Sequence, residues 1–198
     1  MTENVVLMKQ AREALSGKWG IAIGAFLVYI LIVISIQIIP IFGAIASVFI
    51  TGPMSLGLAI FSLNLSRSQD AKLEQIFEGF NRFGVSLVAY LLMVLFILLW
   101  MLLLIIPGII AALSYSMTFY ILAEDNSIGA MEAIDKSKKM MDGYKWKYFC
   151  LGLRFLGWAL LCILTLGIGF LWLVPYMQVS MANFYDDIKE SAFENNSF

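Results

Sequence analysis

The chain has 198 residues, of which 61% are hydrophobic and only 14% charged, with a mean hydropathy of +0.87 and a formal net charge of -1. That much apolar surface exceeds what a water-soluble core conceals, so the solvent for much of the chain is lipid. The near-neutral charge excludes a polycationic nucleic-acid binder, and the absence of histidine removes the commonest metal ligand and general base.

Residues 3–16 read as an amphipathic helix at a membrane surface. Leu7, Met8, Ala11, Ala14 and Leu15 share one face, and Lys9, Gln10, Arg12, Glu13 and Ser16 lie opposite. Acidic residues are interspersed with the bases and no cleavage site follows, so this stretch is expected not to be a cleavable signal but to stay in the mature protein. Gly17 breaks the helix, and Trp19 stands where an interfacial aromatic anchor belongs. From Trp19 to Ser66 there is no Asp, Glu, Lys or Arg. As one helix this block would be about 72 Å long, against a hydrocarbon slab of roughly 30 Å, so it must fold back. Pro40-Ile41-Phe42-Gly43 is the expected bend, with spans at 19–39 and 42–65. Gly20 and Gly24, four apart, suit close approach of a neighbouring helix. Pro53 lacks the N–H that would bond the Phe49 carbonyl and is expected to kink the second span.

Residues 67–82 hold Arg67, Asp70, Lys72, Glu74, Glu78 and Arg82 around an apolar stripe of Leu73, Ile76, Phe77 and Phe80, with Asp70 as N-cap. A second uncharged block, Phe83 to Ala123, bends at Ile106-Pro107-Gly108, giving a third span at 83–105 and a short fourth at 109–123. Residues 124–147 are the most densely charged. Ile128, Met131, Ile134 and Met141 favour one face, with Glu132/Lys136 and Asp135/Lys139 as i,i+4 pairs. Lys136, Lys138, Lys139, Lys145 and Lys147 make the later half basic. They read either as a patch for anionic lipid headgroups or as a solvated, ion-paired helix with topology-setting lysines. The third block, Tyr148 to Tyr185, carries Arg154 alone and bends at Leu166-Gly167-Ile168-Gly169, for spans at 148–165 and 170–185. Pro175 is expected to kink the last helix, and residues 186–198 to form a polar, fraying tail.

The predicted fold is therefore all-α: a polytopic membrane protein with six transmembrane helices in three hairpins, and amphipathic interfacial helices on one side. Residues 1–198 form a single integral membrane domain. One unit recurs in it: surface helix, Gly break, aromatic anchor, span, turn, span. The breaks fall at Gly17, Gly79 and Gly143 and the turn glycines at Gly43, Gly108 and Gly169, which suggests a threefold repeat over 3–66, 67–126 and 127–187. The bases gather on one side of the hairpins while the three turns carry no charge, so the positive-inside rule places the charged side and both termini in the cytoplasm.

Arg154, one or two turns inside the fifth span, is the most informative single residue. It either snorkels to the interface or pairs with Asp186 or Asp187, or else it contacts a lipid phosphate or substrate. Gln37, Asn64, Gln178 and Asn183 are expected to make interhelical hydrogen bonds, and lining a polar cavity is their other reading. Ser114, Ser116 and Thr118 are expected to bond their own helix backbone. Glu124-Asp125 and Asp186-Asp187 are acidic pairs at corresponding unit ends, and a shared cation is one reading of them. Cys150 and Cys162 and the eleven scattered methionines read as packing residues. No nucleophile–base pair, phosphate loop or metal cluster is visible, so neither a cofactor nor an enzymatic activity is expected.

The residues also carry a family resemblance. The Gly52-Pro53 span, Ile106-Pro107-Gly108-Ile109-Ile110, and Glu124-Asp125 followed by Ala130, Ala133 and Ser137 resemble the bacterial multi-pass family catalogued as domain of unknown function number 975. The ending Val174-Pro175-Tyr176 with Asn183-Phe184-Tyr185-Asp186 fits it as well, so the resemblance covers nearly the whole chain. More distantly, the chain is similar to the membrane module attached to some bacterial glycerophosphodiester phosphodiesterases, although no phosphodiesterase domain is present. The resemblance implies a bacterial cytoplasmic membrane protein, most familiar in Gram-positive organisms. It supplies no activity, so no catalytic or binding residues carry over. The leading functional expectation is a non-enzymatic protein that binds or moves lipids or amphiphiles. Arg154, Asp186, Asp187, Gln178, Asn183, Lys138, Lys139, Lys145 and Lys147 are its candidate lipid, substrate or helix-pairing residues. The alternative is an accessory or immunity-type subunit, or a scaffold, that docks a membrane partner.

Overall fold

Hydrocarbon offers no partner to a backbone N–H or C=O, so apolar runs of this length close their hydrogen bonds internally as helices. A computed structural model describes residues 2–37 and 40–195; the link at 38–39 and the side chains of residues 37, 40–42, 44–45 and 192–195 lie outside that description, while Pro40 to Gly43, expected as the first bend, are helical. The described elements are all helical. They are α1 (Asn4–Ala14), α2 (Trp19–Gln37), α3 (Pro40–Ser66), a 3-10 segment (Leu73–Arg82), α4 (Phe83–Leu103), α5 (Ile105–Tyr115), α6 (Thr118–Glu124), α7 (Ala130–Met140), α8 (Lys145–Leu164) and α9 (Phe170–Asn195).

Five stretches of described helix are long and apolar enough to cross a membrane: 19–36, 46–66, 73–103, 105–124 and 145–164. α9 is not among them. It joins an apolar first half to the polar stretch expected to fray, which is instead helical through Asn195. That extension holds because Ile188 is fully buried while Asp187 and Lys189 find partners.

Burial separates the spanning helices into two kinds. Only 17% of 19–36 and 11% each of 73–103 and 145–164 are buried, against 56% of 46–66 and 50% of 105–124. The second helix of the first two hairpins is thus central and the first is peripheral. α9 packs centrally too, against α1, α2, α3 and α8. Each central helix is interrupted: Pro53 lies inside α3, Pro175 inside α9, and Ser116–Met117 separates α5 from α6.

The amphipathic segments pack on these central helices in a cycle. The 3-10 segment lies on α3, α7 on α5 and α6, and α1 on α9. Their apolar faces complete two large buried clusters. One holds Leu15, Phe26, Phe61, Leu65 and Ile76, the other Leu7, Met117, Phe155, Phe184 and Tyr185. At the uncharged turns the hairpins are bare: Leu98–Ile106 and Leu160–Leu166 expose large apolar side chains, up to 95% at Leu166. In lipid that exposure is ordinary; in water it would be prohibitive.

Several local expectations are corrected. Residues 73–82 wind as a 3-10 helix, whose three-residue turn stacks Leu73, Ile76, Gly79 and Arg82 on one edge. Ile76 and Gly79 are buried, and Phe77 and Phe80, expected to share one apolar stripe with Leu73 and Ile76, are exposed. The segment opens not on Asp70 but at Lys72, whose N–H donates to the Gln75 side chain at 3.2 Å. Its tight winding serves a backbone contact: a Cβ on Gly79 would stand 1.9 Å from the Pro53 oxygen, and one on Gly57 2.0 Å from the Ile76 oxygen. The close approach is therefore here, not at Gly20 or Gly24. A Cβ at Gly20 would meet nothing within 4 Å, and one at Gly24 only a leucine methyl at 4.0 Å. The second bend comes at Leu104, in extended backbone, so Pro107 falls in the first turn of α5, where its missing N–H costs nothing. Met131 on α7 is half exposed, and Glu132/Lys136 and Asp135/Lys139 form no ion pair. The buried face of α7 is Ala130, Ala133, Ile134 and Ser137.

Candidate functional site

Helix ends leave carbonyls and charges to be satisfied, and here the ends of the three central helices meet. Arg67, just past α3, donates from Nε and Nη2 to the two carboxylate oxygens of Asp186 on α9, at 3.1 and 2.6 Å. The same Nη2 donates to Glu124 Oε1 at the end of α6, at 2.5 Å. The other Glu124 oxygen accepts from Tyr185 Oη at 2.8 Å and Lys189 Nζ at 2.7 Å. Tyr185 in turn stacks on Tyr120 of α6, ring centres 5.6 Å apart, and Tyr120 Oη donates to Gln178 at 3.4 Å. The acidic unit ends do share a cation, but it is the chain's own guanidinium. Asp186 above all, then Glu124, push the Arg67 pKa upward, against the pull of burial.

Asp187 serves a separate junction. It accepts from Lys147 Nζ at the start of α8 and from the backbone N–H of Thr2, each at 2.8 Å. Burial alone would raise its pKa, but these two donors prevail and hold it below the usual carboxylate range. Asn183 donates to the Leu7 carbonyl at 3.2 Å and Asn4 to that of Lys147 at 3.0 Å, so α1, α8 and α9 are tied together. Arg82 holds the loop after α6 through the carbonyls of Leu122, Asp125 and Ile128, at 2.6, 3.1 and 3.0 Å.

Ser114, Ser116 and Thr118 each donate to a carbonyl three or four residues back. The break they flank is closed by Ser137 of α7. Fully buried, it donates to the Ser114 carbonyl at 2.8 Å and accepts from the Met117 N–H at 3.2 Å.

Of the basic candidates, Lys138 near the end of α7 and Lys145 at the start of α8 converge on one groove of about 200 Å³. It is otherwise lined by Trp100, Pro107, Ile110, Ala111, Ser114 and Tyr115 of the second hairpin. Lys139 points to an adjoining depression with Asp135 and Asp142. Lys145 lies 3.9 Å from Asp142, and Lys138 has no ion pair among the described residues. Lys147 is engaged with Asp187 and lies 5.5 Å from the Phe184 ring centre. Arg154 is exposed on α8 without an ion pair or hydrogen bond among the described residues, and the expected pairing with Asp186 or Asp187 does not form because both are occupied. Among the described residues no group of His, Cys, Asp and Glu is arranged to hold a metal.

The model of the family described as "Protein of unknown function (DUF975)" matches residues 1–114 and 101–192. This chain belongs to that family. No curated protein and no solved structure matches it. The likeness to a phosphodiesterase membrane module thus gains no support, and what this DUF975 chain does must be argued from its own geometry.

Sequence reasoning missed Arg67, Arg82 and Ser137. One signal was available for Arg67: it directly follows an apolar block, as Glu124-Asp125 and Asp186-Asp187 do, but is opposite in sign.

Proposed function

We propose that the protein is a non-enzymatic, six-span component of the bacterial cytoplasmic membrane, with its charged end in the cytoplasm, that binds an anionic phospholipid. The sixth span in this reading is the apolar half of α9. One observation carries the proposal: two lysines from different helices, Lys138 and Lys145, line one groove together with Trp100, Pro107 and Tyr115. A phosphate on the lysines with an acyl chain along the apolar side chains meets both chemistries at once. The basic residues gathered at this end favour the leaflet where anionic headgroups concentrate. The test is lipid binding to the purified full chain in detergent, followed by native mass spectrometry with phosphatidylglycerol and phosphatidylcholine. Each lysine near an anionic surface is worth about 1 kcal/mol, so Lys138→Ala with Lys145→Ala should weaken phosphatidylglycerol binding roughly 30-fold. Equal binding by the double variant refutes the assignment, and a stoichiometric protein companion in place of lipid would instead favour the accessory-subunit reading.

A further inference from the structure

A second crevice, of about 350 Å³, opens where α1 and α2 meet α8 and α9. Arg12 and Trp19 stand on one side of it, and Trp158, Trp172, Leu173 and Tyr176 on the other. Its plan repeats that of the Lys138–Lys145 groove. Lys138 and Lys145 lie five residues before and two after Gly143; Arg12 and Trp19 lie five before and two after Gly17. Both glycines take left-handed backbone, at φ +80° and +76°, so each turns its chain from amphipathic helix into spanning helix in the same way. On the opposite wall, Ala111 and Tyr115 come three and seven residues after turn glycine Gly108, and Trp172 and Tyr176 three and seven after Gly169. The third such junction is closed. There the 3-10 segment meets α3 backbone to backbone through Gly79 and Gly57, and the residue matching Arg12 and Lys138 is Glu74.

We propose that this crevice is a second phospholipid site suited to a zwitterionic headgroup, its phosphate on Arg12, its ammonium over the Trp19 ring and one acyl chain between Trp158 and Trp172. The occupant follows from charge and size. Arg12 is exposed and makes no hydrogen bond or ion pair among the described residues, so its guanidinium is open to a phosphate. Where the first groove has a second cation, Lys145, this one has an indole, which attracts a quaternary or primary ammonium and offers nothing to a headgroup that carries a phosphate alone. The volume sits at the low end of small-molecule pockets, enough for one chain. The inference rests on the lipid-binding reading above but uses different residues and a different lipid.

The experiment titrates the full chain in detergent with phosphatidylcholine and, separately, phosphatidylglycerol, counting bound lipids by native mass spectrometry. Arg12→Ala should weaken phosphatidylcholine binding about fivefold and leave the tighter phosphatidylglycerol binding at the Lys138–Lys145 pair unchanged. Lys138→Ala with Lys145→Ala should do the converse. Trp19→Lys, which copies Lys145, should turn the preference of the crevice toward phosphatidylglycerol. Phosphatidylcholine binding that is unaltered by Arg12→Ala, or that falls with the lysine pair, overturns the second site while leaving the first intact. Failure of both lipids to bind overturns the functional reading itself.

Discussion

Replacing Arg67 by alanine tests whether the charged end is a clamp or merely a decorated surface. The substitution removes two hydrogen bonds to Asp186 and one to Glu124. It leaves Glu124 with Tyr185 and Lys189, but Asp186 with no ionic partner among the described residues. Hydrogen bonds to charged groups contribute about 1.5–3 kcal/mol each when well buried, whereas exposed ion pairs contribute about 0–1. The side chains here are 30%, 23% and 27% exposed, between those limits, so we expect a total loss of about 2–4 kcal/mol. Arg67→Lys keeps the charge but not the fork, and should recover less than half of it. The assay is reversible unfolding in mixed micelles by titration with a denaturing detergent, read by tryptophan fluorescence. A double-mutant cycle with Asp186→Asn should return a coupling of about 1–2 kcal/mol, smaller at high salt. A loss under about 0.5 kcal/mol for Arg67→Ala, or a coupling near zero, would refute the clamp.

The same unfolding assay reads three further expectations. Gly79→Ala forces a methyl into the Pro53 carbonyl and should cost at least about 3 kcal/mol, while Gly84→Ala, whose Cβ meets nothing within 4 Å, should be tolerated. Ser137→Ala strands the Ser114 carbonyl and Met117 N–H in a buried place and should cost about 1–3 kcal/mol. Asp187→Asn should lower stability by about 1–2 kcal/mol at neutral pH, allowing for partial exposure of the site. Because the folded carboxyl titrates below its unfolded value, that contribution is fully present above about pH 4 and is lost as pH falls through the folded pKa, so wild type and variant should converge in acid.

What was legible in the sequence follows from the solvent. Lipid demands uninterrupted apolar runs with internal hydrogen bonding, so the membrane character, the helices and the third bend at Leu166–Gly169 were readable from composition alone. The amphipathic face of α1 was readable for the same reason, since water and core impose a 3.6-residue period. The 3-10 segment was not, because its winding is dictated by how closely Gly79 must approach α3, a contact between distant parts of the chain that no local period records. Glycine spacing misled for the related reason that Gly20 and Gly24 have the right separation and no partner. The Arg67 cluster joins residues 57 and 119 positions apart, and nothing local distinguishes Arg67 from an ordinary loop base. Arg154 drew attention by standing alone in an apolar run, yet the carboxylates it would have needed were already held by Arg67 and Lys147.

The interruptions in the central helices and the amphipathic segments outside them are two sides of one arrangement. A broken helix inside an apolar bundle leaves backbone groups that must be met by something other than water. At the Ser116–Met117 break, the next hairpin's α7 supplies Ser137 to both stranded groups. At Pro53, whose missing N–H leaves the Phe49 carbonyl without its helical donor, the next hairpin's 3-10 segment packs close by, with Gly79 against the Pro53 carbonyl and no side chain between. Near Pro175, Leu173 and Tyr176 line the crevice that Arg12 of α1 also lines, and α1 precedes the first hairpin, closing the cycle. The amphipathic segments are therefore parts of the bundle's interior packing, each completing the central helix of the hairpin before it. Two of these junctions retain an open groove with a cation in its lining, and the one sealed by glycine does not. The proposed lipid sites are thus junctions between hairpins, so an occupied groove would also brace one hairpin against the next. Phosphatidylglycerol should accordingly raise the unfolding midpoint of the wild-type chain more than that of the Lys138→Ala, Lys145→Ala variant, because only lipid bound to the folded groove shifts the equilibrium.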